Sequence, residues 1–386
     1  MAPKGKCRGP KAQTLASPAA ARPPPPHPAP ALSATTVADL TEEILHAILR
    51  SLTPADLLRA ALACHRWRRA ASRALPPAPP LLGYFFHPRG PAEPPPAPTD
   101  DKTHYPAVFV PLDDASPRLS LKLNPGAACG LSINDVHLGL VLLLLHDRPK
   151  SLLPRILAVD PASRRRVLLP PPPRDTLPGD RWRGERSVIG VAVLSRAHPS
   201  RLSFDAVCLT IDGDLPRAWV ASVRDGECTW RALQRTEGVV VNFDPWWFEA
   251  RSVHAAGNIY WHICNSSRLL QLDPCTLEIS YMPVPAVLGD RFKKYRIGET
   301  PEDGRLCMAA IVDDEDLQIW VRGKASDIDY ARTGKVFIKT WGYGRYSFHM
   351  ETGKLEHLVM EDGKEYGDPM YAYTLAWPPE FLTLKD

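Results

Sequence analysis

The 386-residue sequence lacks closely spaced cysteines. Its eight cysteines include no C-x-x-C pair, and the smallest gap between two of them, from Cys264 to Cys275, is 11 positions. Zinc ribbons and small disulfide frameworks need closer spacing, so both are excluded. The N-terminus also lacks the continuous apolar segment of a secretion signal. We therefore expect reduced thiols and a cytoplasmic or nuclear protein.

Long apolar runs are missing as well. The longest, Leu138 to Leu145, contains Gly139 and is under half of the roughly 20 residues that a membrane helix needs. It predicts a buried strand, and no membrane partner is expected.

Acidic residues are absent before Asp39, where five basic residues occur. Of the total charge of +4, the rest of the chain therefore carries 42 − 43 = −1. Such a body cannot neutralise several phosphates through general positive charge, which makes nucleic acid an unexpected partner.

Proline is abundant instead, with 42 residues, nine in positions 1–38 and ten in positions 76–98. Proline fixes φ and lacks the backbone N–H, so neither stretch suits helix or central sheet. We predict a disordered Pro/Ala-rich basic tail (1–38), a helical unit (39–75), a Pro-rich linker that contains the first strand (76–98) and a β domain (99–386).

The helical unit has a clear apolar period. Leu40, Ile44, Leu45, Ile48, Leu49 and Leu52 lie on one stripe of a first helix. Thr53-Pro54-Ala55-Asp56 predicts a cap and the start of a second helix. Some 35 residues cannot bury a self-sufficient core, so another surface should cover the apolar face.

The run from Asp39 to Arg68 resembles an F-box, with its acidic pair Glu42-Glu43, paired aliphatics, Asp56-Leu57-Leu58 and closing Cys64 and Trp67. Thr41 departs from the family, which usually has proline there. The resemblance implies docking to a Skp adaptor and, through it, to a cullin-RING ubiquitin ligase. The implied adaptor-binding residues are Leu40, Ile44, Leu45, Ile48, Leu52, Leu57, Leu58, Leu62, Cys64 and Trp67.

The remaining sequence predicts short antiparallel strands. Between Ser252 and Pro283, a turn at Gly257-Asn258 and a turn at Asp273-Pro274-Cys275-Thr276 separate strands at the spacing of one propeller blade. The second turn recurs 113 positions earlier as Asp160-Pro161-Ala162-Ser163. We predict a β-propeller of about six kelch-like blades; a β-sandwich is the alternative. This part resembles the F-box-associated propeller of plant F-box proteins.

No sequence motif predicts a catalytic residue, cofactor or metal. His254, His262 and Cys264 are the best metal candidates, but zinc needs a further ligand and no nearby residue is an obvious one. Asp313-Asp314-Glu315-Asp316 lacks the spacing of a calcium loop and predicts a charged hairpin tip.

The sequence thus predicts a non-enzymatic substrate receptor that holds a target protein near the ligase. The adjacent aromatics Trp246, Trp247 and Phe248 are candidate target-binding residues, because three neighbours cannot all face one core. Two alternatives stay open: a DNA-binding regulator that uses the Arg-rich helix after Thr53-Pro54, and a propeller enzyme.

Overall fold

The computed structural model describes residues 40–75, 79, 81–88, 106–112, 118–121, 131–145, 155–173, 186–198, 201–212, 215–234, 236, 238–241, 248–264, 266–288, 295–299, 304–312, 316–322, 335–340, 344–349, 352–360, 364, 366–367, 370–376 and 382. Within them, three N-terminal helices precede a β-propeller, which confirms the predicted fold class. No helix in these ranges is long and apolar enough to cross a membrane.

The helices are α1 (Glu42–Ser51), α2 (Pro54–Ala63) and α3 (His65–Ala74). The predicted cap of α2 is confirmed, because the Asp56 N–H donates to Thr53 Oγ1 at 3.2 Å. The sequence pattern predicts a single helix after Thr53. In the structure Cys64 is extended, with φ −162° and ψ 171°, and this residue separates α2 from α3.

Antiparallel strands dominate the rest of the described chain, which also contains a 3-10 helix at Ala286–Leu288. They are β1 (Leu81–Phe86), β2 (Val108–Pro111), β3 (Leu131–His137), β4 (Leu140–Leu145), β5 (Arg155–Asp160), β6 (Arg165–Leu169), β7 (Arg186–His198), β8 (Ser203–Asp212), β9 (Leu215–Arg224), β10 (Glu227–Ala232), β11 (Phe248–Ala255), β12 (Asn258–Ile263), β13 (Arg268–Leu272), β14 (Ile279–Pro283), β15 (Tyr295–Glu299), β16 (Leu306–Val312), β17 (Asp316–Val321), β18 (Lys335–Thr340), β19 (Gly344–His349), β20 (Leu355–His357) and β21 (Tyr371–Thr374).

Five blades consist of strands that follow one another in sequence: β3–β6, β7–β10, β11–β14, β15–β17 and β18–β20. A further sheet, in the order β2-β1-β21, pairs the first strand of the β region with the last. The expected number of about six blades therefore differs slightly from the five blades of consecutive strands, because this further sheet takes strands from both ends.

Three hairpins turn through two residues that both have positive φ, the type I′ geometry that matches strand twist. The pairs are Leu138-Gly139, Asp225-Gly226 and Ala256-Gly257. The sequence places the third turn at Gly257-Asn258, one position too late, since Ala255 pairs with Asn258. The strand predicted from Leu138 likewise begins at Leu140. A glycine at the second position removes the Cβ strain at that residue.

The recurring Asp-Pro turn is confirmed at both places. Asp160 Oδ1 accepts the N–H groups of Ala162 and Ser163, both at 3.1 Å. Asp273 Oδ1 accepts those of Cys275 and Thr276 at 2.7 and 3.2 Å. In each case one carboxylate oxygen closes the turn between the third and fourth strands of a blade.

Apolar side chains fill the spaces between neighbouring blades. Leu142, Ile156 and Phe204 belong to the cluster between β3–β6 and β7–β10. Trp261 and Val207 belong to the next cluster, between β7–β10 and β11–β14, and Trp261 is fully buried. These clusters hold the first strands of the blades, β3, β7 and β11, in mutual contact. Such strands border the central channel of a propeller.

Candidate functional site

The three helices enclose a small core of their own. Leu45 and Leu49 of α1, Leu57 and Ala61 of α2, and Ala71 of α3 are buried. Leu45 and Leu57, which the family resemblance assigns to adaptor binding, are therefore support residues rather than surface contacts in this conformation. An exposed ion pair from Arg73 to Glu42, at 3.2 Å, also joins the end of α3 to the start of α1.

Two large apolar side chains of this unit face outward. Ile44 is 47% exposed and Leu62 is 60% exposed. Among the other predicted contact residues, Cys64 is exposed, whereas Leu40, Ile48, Leu52, Leu58 and Trp67 are partly buried. The helices thus divide the ten predicted residues into a buried support and an accessible apolar surface, of which Ile44 and Leu62 are the most exposed aliphatic members.

The predicted aromatic triplet is only partly described. Phe248 is 7% exposed and belongs to the core cluster that contains Trp261, opposite Ile263 in the sheet. It is not accessible to a target in this structure. Trp246 and Trp247 lie outside the described residues.

A buried carboxylate connects three blades next to the channel. Asp135 of β3, 1% exposed, accepts hydrogen bonds from the Val193 N–H of β7 at 2.7 Å and from Ser252 Oγ of β11 at 2.7 Å. His254 Nε2, also on β11, is 3.0 Å from Asp135 Oδ2, and the His254 ring stacks on His137 with centroids 3.6 Å apart. Burial favours the neutral acid, but the two histidines and the Val193 N–H outweigh it and lower the pKa of Asp135.

A second buried ion pair lies beside the Asp160 turn. The Arg196 guanidinium contacts Asp160 Oδ2 and donates to the Leu138 carbonyl at 2.9 Å, and both charged side chains are almost fully buried. Asp160 Oδ1 closes the turn in its own blade, and Oδ2 contacts Arg196 of the next blade. One carboxylate therefore links two blades.

A third polar group combines two strands of one blade. Glu249 of β11, His262 of β12 and Cys264 offer ligand-type atoms that all lie within 4.8 Å of one another. Glu249 Oε1 is 3.1 Å from His262 Nδ1 and 2.7 Å from the Arg296 guanidinium of the next blade. Burial opposes ionisation of Glu249, but His262, Arg296 and Arg251 outweigh it and lower its pKa to about 2.

The outer surface has a basic depression of about 750 Å³. Arg165, Arg166 and Leu168 line it from one blade, and Arg201, Leu202 and Asp225 line it from the next. Leu168 is 46% exposed. Three arginines and one aspartate give this surface a charge of 3 − 1 = +2 beside an apolar contact point.

Sequence reasoning missed Asp135, Arg196 and Glu249. Asp135 and Asn134 lie between the apolar residues Ile133 and Val136 of one strand, and an acid at such a position signals a buried partner. Nothing in the sequence around Glu249 points to its role, because its partners His262 and Arg296 come from another strand and from the next blade.

Comparison with known proteins gives one family match. Residues 38–75 match the model described as F-box-like. The comparison with curated proteins gives no match.

Several solved structures show distant similarity to this chain. A structure described as the nidogen/laminin complex is 12% identical, with 76% of this chain and 98% of that chain covered and a TM-score of 0.35. The Cps50 (Swd1) β-propeller domain of Myceliophteria thermophila is 13% identical, with coverages of 68% and 82% and a TM-score of 0.33. A putative 6-phosphogluconolactonase of Bacteroides uniformis is 10% identical, with coverages of 76% and 97% and a TM-score of 0.29. These TM-scores are too low to support an inference.

The helices, the family match and the sheet order together give the domain identity. The chain carries an F-box-like domain at residues 38–75, followed by a β-propeller.

Proposed function

We propose that this protein is the substrate-recognition subunit of a Skp-cullin-F-box ubiquitin ligase. The observation that carries the proposal is the F-box-like match at residues 38–75, together with the exposure of Ile44 and Leu62 on its helices. Water contact with two large aliphatic side chains is unfavourable. Because Ile44 is 47% and Leu62 is 60% exposed, an adaptor that covers them would gain about half of the roughly 1.5 to 3 kcal/mol that full burial of each side chain provides.

The chain would act without a catalytic residue of its own. F-box proteins are generally non-catalytic, and their contribution is proximity: a tethered target meets the ubiquitin donor at a high effective concentration. We propose a propeller of the F-box-associated type known from plant F-box proteins, a cytoplasmic or nuclear location, and the domain division 1–38, 39–75, 76–98 and 99–386.

The DNA-binding alternative gains no support from the helices. Arg59 pairs with Asp56 at 2.8 Å and Arg73 pairs with Glu42 at 3.2 Å. These acids offset part of the positive charge that phosphate contacts would need. The propeller-enzyme alternative gains no support either, because no group of the described residues favours it over a receptor.

Co-expression with a Skp adaptor and size-exclusion chromatography test the docking proposal. The variant is Ile44→Asp with Leu62→Asp, because both side chains are exposed and their replacement spares the helical core. The control is Leu355→Asp, which alters a similarly exposed leucine of β20. We expect a one-to-one complex for the wild type and the control, and no complex for the double variant. A folded wild type that elutes without the adaptor would overturn the proposal.

We also propose where the target protein binds. An acidic segment of the target would lie in the basic depression around Arg166 and Arg201, and an apolar residue of that segment would contact Leu168. Charge complementarity supports this occupant, since the surface carries net positive charge. The test measures fluorescence anisotropy of a Glu-rich peptide containing one leucine, beside a Lys-rich counterpart. Arg166→Glu with Arg201→Glu should abolish binding of the acidic peptide, whereas Arg231→Glu on β10 should not. Equal binding of both peptides would contradict the proposal.

A further inference from the structure

The Glu249-His262-Cys264 cluster follows from the local pairing of β11 and β12. Phe248 pairs with Ile263, so Glu249 and His262 are cross-strand neighbours on the same side of the sheet. Cys264 follows His262 by two positions and continues on that face. Although the register shifts between Phe248 and Ser252, Glu249 Oε1 lies 3.1 Å from His262 Nδ1, and this contact places the two side chains together.

These three side chains form a donor set suited to zinc. Thiolate, imidazole and carboxylate are the usual protein ligands of Zn²⁺, and their combination favours it over the oxygen-binding Ca²⁺ and Mg²⁺. An ionised Glu249 and a Cys264 thiolate would carry −2 together, which balances the charge of the metal. The Arg296 guanidinium, 2.7 Å from Glu249 Oε1, would then remain as an outer partner that fixes the carboxylate.

The histidine supplies an independent sign of a missing ligand. His262 is 3% exposed, and within the described ranges neither ring nitrogen makes a hydrogen bond of normal geometry. Its Nδ1 lies 3.1 Å from Glu249 Oε1 in an ion-pair contact, whereas Nε2 has no hydrogen-bond partner among the described residues. The Tyr295 ring closes one side of the imidazole in an edge-on contact, with centroids 4.3 Å apart. A buried imidazole without satisfied nitrogens is costly, and a metal ion would satisfy one of them.

The spacing is close to that of an occupied site. Ligands about 2.0 to 2.3 Å from a tetrahedral zinc ion lie roughly 3.3 to 3.8 Å from one another. The three ligand atoms here lie within 4.8 Å, so a small inward rotation of the side chains suffices. Glu249 and Cys264 are only partly buried, which gives the ion access from solvent and leaves the fourth position to water or to a ligand from a partner.

We propose that Glu249, His262 and Cys264 bind one zinc ion beside the junction of the β11–β14 and β15–β17 blades. The ion would link the first two strands of one blade and, through Arg296, the first strand of the next. This proposal is independent of adaptor docking.

The test is protection of Cys264 from alkylation in the full-length chain. Metal-stripped protein reacts with iodoacetamide in the presence or absence of equimolar Zn²⁺, and mass spectrometry follows each cysteine separately. We expect zinc to slow alkylation of Cys264 at least about tenfold, since a metal-bound thiolate is a poorer nucleophile. Cys275 is exposed in the same blade and serves as the internal control, with a rate that zinc leaves unchanged.

A Glu249→Gln variant identifies the carboxylate ligand. Its thermal melting establishes that it folds, and we expect zinc protection of Cys264 to fall to less than half. Equal alkylation of wild-type Cys264 with and without zinc overturns the proposal. If zinc protects Cys264 fully from alkylation in Glu249→Gln, the assigned ligand set is wrong. If this variant does not fold, the zinc protection of Cys264 in the wild type still tests the site.

Discussion

His254 Nε2 lies 3.0 Å from Asp135 Oδ2, although the two residues are 119 positions apart in sequence. The contact joins the first strands of two blades, and a backbone N–H of a third blade, Val193, donates to the same carboxylate at 2.7 Å. One buried side chain therefore fixes the relative positions of β3, β7 and β11.

Asp135→Asn should lower the stability of the propeller by about 3 kcal/mol. The amide cannot accept on both sides, so at least one of the donors from Val193 and Ser252 would remain buried without an acceptor. Urea unfolding followed by tryptophan fluorescence measures the change. Asp225→Asn, at an exposed turn, is the control and should shift stability by less than about 0.5 kcal/mol. A loss of less than about 0.5 kcal/mol in the free energy of unfolding for Asp135→Asn would show that the carboxylate is not a structural link between the blades.

The two Asp-Pro turns allow a matched comparison of a buried ion pair. Asp160→Asn should cost about 3 to 5 kcal/mol, because it leaves the Arg196 charge buried without its partner. Asp273→Asn changes the same kind of turn at a more exposed position, and the asparagine can still accept the two N–H groups. We expect it to cost less than about 1 kcal/mol in the same urea experiment. Equal costs would mean that the turn, not the ion pair, determines the effect.

Asp205 should make stability depend on acid pH. Burial raises the pKa of this carboxyl, but hydrogen bonds from Arg224, Ser222 and Ser195 outweigh burial and lower it. The stabilisation is therefore fully present above the unfolded pKa of about 4, and it is lost as the pH falls through the lower folded value.

Comparison of wild type with Asp205→Asn tests this dependence. Since the Arg224 side chain is 48% exposed, we expect a difference of only about 1 kcal/mol at pH 7, which should narrow below about pH 4. Glu227→Gln, at the exposed start of β10, should leave the pH profile unchanged. A stability difference that grows as the pH falls would contradict the assigned direction.

Truncation of two adjacent residues of α1 should lower the stability of the helical unit by very different amounts. Leu45→Ala removes a fully buried side chain and should destabilise the helical unit by about 2 to 4 kcal/mol. Ile44→Ala removes an exposed one and should cost less than about 0.5 kcal/mol. Hydrogen exchange of the α1 to α3 amides in the full-length chain measures both. Similar exchange in the two variants would mean that the helices do not keep this orientation.

The parts of the structure that the sequence predicts have local causes. The Thr53 cap and the Asp160 and Asp273 turns each depend on neighbouring residues, and the structure contains all of them. Where two neighbouring positions could both form a turn or begin a strand, the predicted boundary differs from the observed one by one or two residues. At Ala256-Gly257 the choice between two turn positions depends on the cross-strand register.

The polar clusters had no comparable local cause. The partners of Asp135 come from two other blades, and Glu249 contacts His262 of the neighbouring strand and Arg296 of the next blade. Blade adjacency and strand register decide these contacts, and a single sequence states neither. The same holds for the separation of Leu45 from Ile44, since the period of an amphipathic helix does not tell which apolar residues its own partner helices cover.

The sheet that combines β1 and β2 with β21 also bears on the order of events during synthesis. Among the described residues the last α-helix ends at Ala74, whereas Tyr371–Thr374 must leave the ribosome before β21 can pair with β1. The F-box-like helices are therefore complete while the propeller is still open. A chain that stopped before Tyr371 would keep those helices and lose the pairing of β1 with β21. Under the proposed function, it would compete for the adaptor without presenting a finished target surface.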